Sequence, residues 1–154
     1  MIHVKSLHVY PIKSFKGIAL ENLEFESMGP RWDRRYMLVD SQGRFQTQRQ
    51  IKNMHLIKTI IENDELYIGL SGKDNEEHKI LIPQPVISTA SKRQALIWKD
   101  PVTAYVCDES VNKALSDFLG KELELVYIDQ NTPRLRTKDT KQFSVSFADV
   151  LVMF

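Results

Sequence analysis

The residues best suited to chemistry in this sequence are basic and lie within its first fifty positions. Lys13 and Ser14 stand in a predicted connection between strands, Arg34 lies in a group of arginines around Asp33, and Arg49 lies between two glutamines. A lysine ammonium, a serine hydroxyl and a planar guanidinium are donors that a phosphate or similar oxyanion accepts. These residues therefore indicate an anion-binding site, with ordinary solvated surface as the alternative.

Other catalytic signatures are missing or isolated. The sequence has no GxSxG, GxGxxG or GxxxxGK[ST] motif, and the histidines at 3, 8, 55 and 78 form no HExxH motif and no helical i, i+4 pair. Cys107, the only cysteine, precedes a predicted helix N-terminus, where the helix dipole favours a thiolate. The alternative is a small, buried, apolar side chain.

Length and composition exclude several classes of protein. The 154 residues carry 21 basic and 20 acidic side chains, a formal net charge of +1. A chain of this length buries roughly 68–70% of its unfolded surface, so we expect one domain with a real core. The charge balance argues against a nucleic-acid-binding protein, and no run reaches the ~20 apolar residues of a membrane span. With no signal peptide and no disulfide partner, we expect a cytoplasmic protein.

The elements that must position the basic residues are short strands and one helix. Apolar alternation and turn residues predict strands at 2–10, 18–25 with a bulge, 35–40, 45–50, 56–62, 65–71, 79–83, 95–98, 102–106 and 123–128. Turn residues predict a tight hairpin turn at Ser41-Gln42-Gly43-Arg44 and a second hairpin around Asn63-Asp64, and a polar loop is predicted over 129–142. The helical period predicts a helix over 108–119, with Asp108 as N-cap and Gly120 as the stop. This pattern favours a mainly β, antiparallel, barrel-like domain.

Three motifs follow one another within the first fifty residues: VYPIKSFKG at 9–17, MGPRWDRRYMLVD at 28–40 and GRFQTQRQ at 43–50. Together they resemble the N-terminal β-barrel domain of MOSC proteins, a family that includes bacterial MOSC oxidoreductases and mitochondrial amidoxime-reducing components. The later segments YVCDESVNKALSDFLG, LELVYID, TPRLR and SFAD are similar to the family more loosely. The resemblance implies an antiparallel β-barrel-like domain over 1–154, with one α-helix near 108–119.

The resemblance also implies roles for the basic residues. Lys13, Ser14 and Arg34 match the family's contacts to molybdopterin, the organic part of the molybdenum cofactor, whose terminal phosphate is a dianion. Arg49 either joins these contacts or braces the hairpin through an aspartate, Asp33 or Asp40.

A second basic group lies near the end of the chain. Arg134 and Arg136 resemble a loop close to the family's substrate entrance, which makes them candidates for a substrate mouth. The alternative is a mobile, exposed loop.

The same resemblance implies that the metal-binding part of the family's site lies outside this chain. The family's metal-binding cysteine belongs to the MOSC domain proper, so Cys107 corresponds to a structural turn, and the resemblance implies no catalytic residue, no metal ligand and no tightly bound cofactor here. The terminal SFADVLVMF is expected to be a strand cut at the boundary with that missing domain. The implied function is the N-terminal part of a molybdenum-cofactor oxidoreductase that reduces N-hydroxylated compounds, with a flavin or iron–sulfur protein as electron donor. The alternative is a free-standing, non-catalytic binding barrel in cofactor or sulfur handling.

Overall fold

The structure is a computed structural model that describes residues 1–71, 77–131, 134–138 and 141–147. Within these ranges it has one α-helix, α1 (Glu109–Leu119), and one 3-10 helix (Lys52–Leu56). The strands are β1 (Leu7–Val9), β2 (Ile18–Leu20), β3 (Phe25–Glu26), β4 (Gly29–Pro30), β5 (Tyr36–Val39), β6 (Lys58–Glu62), β7 (Glu65–Ser71), β8 (Glu77–Ile82), β9 (Lys92–Ile97), β10 (Asp100–Val106), β11 (Glu124–Tyr127), β12 (Arg134–Lys138) and β13 (Lys141–Val145). All pairings between these strands are antiparallel, which confirms the predicted fold class.

The centre of the fold is a four-stranded sheet in the order β5–β11–β10–β9. Residues 43–46 lie between its two edge strands. On one side the Gln46 N–H donates to Leu38 O at 2.8 Å, and on the other the Phe45 N–H donates to Leu96 O at 3.2 Å and the Leu96 N–H to Gly43 O at 2.8 Å. Because both edge strands hydrogen-bond to this one segment, the sheet curls into a barrel-like form whose two edges are bridged by residues 43–46.

The central sheet is buried on both faces along β5 and β11, whereas β9 has alternate residues exposed. Successive side chains of a strand point to opposite faces, so neighbouring residues of β5 and β11 enter two different apolar clusters. The barrel interior holds Met37, Val39, Ala95, Ile97, Val102, Ala104, Val126, Ile128, Met28 and Phe147. The outer cluster joins Tyr36, Leu38, Leu125 and Tyr127 to α1 and to the sheet β6–β7–β8. The strand β5 is therefore fully buried, which explains its nearly continuous apolar sequence.

The predicted helix is confirmed with its caps. The Asp108 carboxylate accepts a hydrogen bond from the Ser110 N–H at 2.9 Å, and Gly120 ends the helix at φ +68° with its N–H bonded to Ser116 O at 2.9 Å. Its buried residues, Val111 and Leu115, lie one turn apart and face the outer cluster. No helix in the described ranges is long and apolar enough to cross a membrane.

The hairpin of β6 and β7 is also confirmed. Its turn residues Asn63 and Asp64 have φ values of +51° and +64°, the left-handed pair that a two-residue type I′ turn requires. The predicted tight turn at Gly43 is confirmed as well, at φ +75°.

Several predicted strands were wrong. The first strand begins at Leu7 rather than residue 2, since residues 1–6 are exposed and unpaired in the described sheets. The predicted bulged strand is two strands, β2 and β3, which pair with different partners. The predicted strand at 45–50 is not formed. Residues 43–46 make one isolated bridge to β5 and one to β9, and the chain then turns at residues 48–50.

The predicted loop at 129–142 was wrong too. It contains β12 and the start of β13, an antiparallel pair in which Arg134 lies opposite Val145. Its sequence is rich in lysine, arginine and threonine, so apolar alternation gave no signal for it. The expected terminal strand falls mostly on residues 148–154, outside the described residues.

Closure of the barrel predicts an unusual sensitivity at Gly43. A Cβ placed there would lie 2.4 Å from Gln94 O, a backbone atom of β9, and would also sit at positive φ. We expect Gly43→Ala to lower the free energy of unfolding by about 2–5 kcal/mol, from left-handed strain plus overpacking. Gly120→Ala is the matched control, because it has a similar φ of +68° but no atom within 4 Å of the added Cβ. It should cost only about 1–2 kcal/mol in urea denaturation; equal losses would contradict the close approach.

Candidate anion-binding site

The site begins where two segments of the chain run side by side. Ile12 and Tyr36 form an isolated parallel bridge. The Lys13 N–H donates to Tyr36 O at 2.9 Å, the Tyr36 N–H to Pro11 O at 3.1 Å, and the Arg34 N–H to Tyr10 O at 2.7 Å. These bonds bring residues 10–14 beside residues 34–36, although they are more than twenty positions apart in sequence.

Lys13 is held at the floor of the site. Its side chain is buried, and its Nζ donates to the carbonyl oxygen of Phe147 at 3.1 Å. The same Nζ lies 5.7 Å from the centre of the Phe45 ring, a cation–π distance. The Phe147 N–H in turn donates to Arg34 O at 2.9 Å. The backbone of Phe147 thus links two of the predicted anion-binding residues.

Ser14 occupies a left-handed backbone conformation, with φ +69°. For a residue other than glycine this costs roughly 1–2 kcal/mol. The turn is fixed on both sides: the Phe15 N–H donates to Ile12 O at 3.1 Å, and Gln48 Nε2 donates to Ser14 O at 2.7 Å. A strained residue whose surroundings hold it in place is a frequent feature of functional sites.

Arg34 is oriented by a buried carboxylate. Asp33 Oδ2 accepts a hydrogen bond from Arg34 Nη1 at 2.6 Å, and Asp33 Oδ1 accepts one from the Tyr10 N–H at 3.0 Å. The guanidinium also lies 5.0 Å from the centre of the Tyr10 ring. The Arg34 side chain remains 38% exposed. A guanidinium has five N–H donors, so this arrangement fixes its plane while most of its donors face away from Asp33.

Arg49 lies on a separate turn at the rim. The Gln50 side chain ties this turn down by accepting from the Thr47 N–H at 2.8 Å and from its hydroxyl at 3.0 Å. Arg49 is exposed. The aspartates that it was predicted to brace are bonded to other arginines: Asp33 to Arg34, as above, and Asp40 to Arg44 Nε at 3.1 Å.

These residues line one cleft of about 570 Å³. Its wall includes three cations, Ser14 and four aromatic residues: Lys13, Arg34, Arg49, Ser14, Tyr10, Phe15, Phe45 and Trp98. No carboxylate is among the described residues that line it. The four residues proposed from the sequence for anion binding thus meet in a cleft suited to an anion.

Several residues of this cleft were missed from the sequence. Trp98 was placed at a strand end but lies in the turn between β9 and β10. Tyr10, Phe45 and Phe147 reach the site through contacts between distant parts of the chain, and no local pattern signals such contacts. The orienting role of Asp33 had a partial signal, because Asp33 directly precedes two arginines.

The second predicted basic group lies elsewhere. Arg134 is buried, and its Nη2 bonds to Asp100 Oδ2 at 2.7 Å. It is not among the residues that line the cleft. Arg136 lies in β12, opposite Phe143. The assignment of these two arginines to a substrate mouth stays a prediction.

Cys107 is a core residue. It is buried in the outer cluster, and this burial raises the pKa of its thiol well above the usual value, with Asp108 adding a smaller effect. Its N–H donates to Leu125 O at 2.9 Å. The thiolate favoured by the helix dipole is therefore not supported, and the small buried side chain is confirmed. Among the described residues, no three His, Cys, Asp or Glu side chains are placed to hold a metal ion.

The structure thus defines a curled, barrel-like antiparallel sheet, with a basic cleft beside the segment that bridges its edges. Residues 1–122 match the family described as the MOSC N-terminal beta barrel domain. The chain belongs to this family, which confirms the resemblance seen in its motifs. Its extent as one domain to residue 154 stays a prediction.

Known proteins similar to the chain agree with the family. It is 27% identical over 131 residues to molybdenum cofactor sulfurase of Homo sapiens, a match that covers 85% of this chain and 15% of that protein. It is 26% identical over 149 residues to mitochondrial amidoxime-reducing component 1 of Mus musculus, covering 94% of this chain and 42% of that protein. The chain therefore spans less than half the length of either relative.

A solved structure shows the same fold. The solution structure of a protein from Bordetella bronchiseptica superposes with a TM-score of 0.54 at 12% sequence identity, covering 76% of this chain and 94% of that protein. At this identity the likeness concerns the fold alone.

The turn that leads into the cleft gives a prediction on pH. Burial by itself raises the pKa of Asp40, but hydrogen bonds from the Arg44 backbone and side chain and from the Gln42 N–H outweigh it, so the pKa lies below its usual value. The charged carboxylate therefore stabilises the fold above the unfolded pKa of about 3.9, and this contribution is lost as pH falls through the lower folded pKa. We expect Asp40→Asn to cost about 1.5–3 kcal/mol at neutral pH and much less below about pH 3.

Urea denaturation across this pH range checks the prediction. The control is Asp117→Asn, which removes a carboxylate from an exposed pair with Lys113 and should change stability little. A constant difference between Asp40→Asn and the original protein at every pH would contradict it.

Proposed function

We propose that this domain anchors the terminal phosphate of molybdopterin, the organic part of the molybdenum cofactor, within a longer MOSC protein. The observation that carries the proposal is the meeting of Lys13, Ser14, Arg34 and Arg49 in one cleft whose described lining has no carboxylate. Two relatives, a molybdenum cofactor sulfurase and an amidoxime-reducing component, favour this ligand over other phosphates.

The residues fit the phosphate end of this cofactor. A phosphate on a side chain carries a charge near −2 and accepts several hydrogen bonds. Lys13 supplies a positive charge at the cleft floor, Ser14 a hydroxyl and a turn of backbone, and Arg34 a guanidinium already oriented by Asp33. Since these groups are held before binding, less side-chain freedom is lost when the phosphate enters.

The residues do not fit the metal end. In the family that the chain resembles, a cysteine thiolate binds the molybdenum. Cys107 is the only cysteine of the chain, and it is buried in the outer cluster with a raised pKa. When bound, the cofactor supplies the redox chemistry. In our proposal this domain binds and orients its phosphate, while a MOSC domain with a cysteine holds the metal.

The proposed activity of the whole protein is the reduction of N-hydroxylated compounds in the cytoplasm, with electrons from a flavin or iron–sulfur protein. The relative named for amidoxime reduction favours it. The arginines at 134 and 136 keep their proposed place near the substrate mouth. The second candidate is a non-catalytic domain for cofactor or sulfur handling, favoured by the similarity to molybdenum cofactor sulfurase. Both candidates use the same anion cleft.

Arg34 provides the sharpest test of the cleft. We expect Arg34→Gln to weaken inorganic phosphate binding about 10- to 150-fold, because hydrogen bonds to charged groups contribute about 1.5–3 kcal/mol. Isothermal titration calorimetry at low salt measures this.

The matched control is Arg31→Gln. Arg31 is a guanidinium of similar exposure, 36% against 38%, that is also paired with carboxylates but lies outside the cleft. It should leave phosphate binding unchanged. Equal binding by the Arg34 variant and the original protein would remove the site.

Metal analysis tests the proposal that this domain binds the phosphate of the cofactor but not its metal. After anaerobic purification we expect the 154-residue chain to carry molybdenum well below stoichiometric amounts, because its only thiol is buried. Cys107→Ser should leave this low content unchanged. Stoichiometric molybdenum on the chain would refute the claim that the metal ligand lies outside it.

A further inference from the structure

The turn between β9 and β10 contains an unusual residue choice. β9 ends at Ile97 and β10 begins at Asp100, so Trp98 and Lys99 form a two-residue hairpin turn. Trp98 has φ +56°, and Lys99 is not among the described residues with positive φ. A positive φ at the first turn position alone is the type II′ pattern, which favours glycine there. A bulky residue in this conformation is a genuine outlier.

The indole of Trp98 is also exposed. Trp98 is 58% exposed and lies on the wall of the cleft. Its ring packs edge-on against Phe45, with ring centres 5.0 Å apart and planes at 62°. Phe45 is fixed in turn, because its N–H bonds to β9 at the closure of the barrel and its ring packs against the barrel interior. The indole is therefore held at the rim on a rigid support.

The backbone conformation and the exposure of Trp98 both reduce its contribution to the stability of the fold. The left-handed conformation is unfavourable, and Trp98, although tryptophan is the largest of the apolar side chains, stays more than half exposed to water. Backbone strain of this kind at a cleft indicates a role in binding. The feature that such a role would use is the broad aromatic face.

We propose that Trp98 stacks against the planar heteroaromatic ring of the ligand whose phosphate binds at Lys13, Ser14 and Arg34. This inference rests on the proposed function and adds a specificity residue to it. The cleft then has two parts: a cationic floor that takes the phosphate, and an aromatic wall of Trp98 and Phe45 that selects a flat ring. Lys13 Nζ lies 5.7 Å from the Phe45 ring centre, so the two parts adjoin.

The test uses three probes with the 154-residue chain: inorganic phosphate, neopterin, and neopterin monophosphate, which joins a pterin ring to a phosphate. The original protein should bind neopterin monophosphate more tightly than either partial probe. Trp98→Gly and Trp98→Asn both remove the ring, and both residues accept a positive φ, so the turn should still fold. We expect each to weaken neopterin monophosphate binding about 5- to 150-fold, the range for loss of one aromatic stacking partner. Binding of inorganic phosphate should not change.

Two further variants serve as controls. Trp98→Phe keeps an aromatic face and should retain most of the affinity for neopterin monophosphate. Phe25→Ala removes a ring that is 74% exposed and lies on β3, outside the cleft, and should change nothing.

The outcomes separate the two ideas. If the glycine and asparagine variants bind neopterin monophosphate as tightly as the original protein, Trp98 has no stacking role, while intact phosphate binding preserves the anion site. The stacking role also falls if both variants lose phosphate binding equally, because the change would then act on the whole cleft. If the original protein binds none of the three probes, both the proposed function and this inference are overturned.

Discussion

The closure of the barrel by residues 43–46 is the constraint on which the rest of the cleft depends. This segment hydrogen-bonds to β5 on one side and β9 on the other, and the absence of a side chain at Gly43 permits the approach to β9. The buried Gln46 side chain secures the closure: its Nε2 donates to Asp40 Oδ2 at 3.2 Å and its Oε1 accepts from Lys121 Nζ at 2.7 Å. As a result Phe45 reaches Trp98, and residues 47–50 form the far wall of the cleft.

Backbone strain is concentrated at this cleft. Among the described residues, six other than glycine have positive φ, and two of them form the ordinary turn of the β6–β7 hairpin. Ser14, Arg34 and Trp98 line the cleft, and Trp32 is two positions from Arg34. Each such conformation costs roughly 1–3 kcal/mol and persists only where the surrounding structure enforces it. Here the parallel bridge between Ile12 and Tyr36 and the bridging of the sheet edges by residues 43–46 hold these residues in place.

Features set by neighbouring residues could be predicted from the sequence, whereas contacts between distant parts of the chain could not. The capped helix after Asp108, the hairpin around Asn63-Asp64 and the turn at Gly43 depend on neighbouring residues, and all were predicted. The motifs also led to the family. The segment 45–50 was predicted as a strand, and Phe147 was missed as the backbone partner of Lys13 and Arg34, because both arrangements depend on contacts between distant parts of the chain.

Asp33 explains how folding prepares the anion site. A carboxylate next to an anion site lowers its positive charge, which by itself weakens binding. Asp33 is buried, however, and holds both the Tyr10 N–H and the Arg34 guanidinium, so it joins the two segments that form the cleft. Immobilising a long side chain on binding costs about 0.5–1.5 kcal/mol. With Arg34 held by Asp33 and Lys13 held by Phe147, folding has already removed about 1–3 kcal/mol of this cost. Because Asp33 Oδ2 lies 2.6 Å from Arg34 Nη1, the guanidinium compensates much of its negative charge, which reduces its repulsion of an incoming anion.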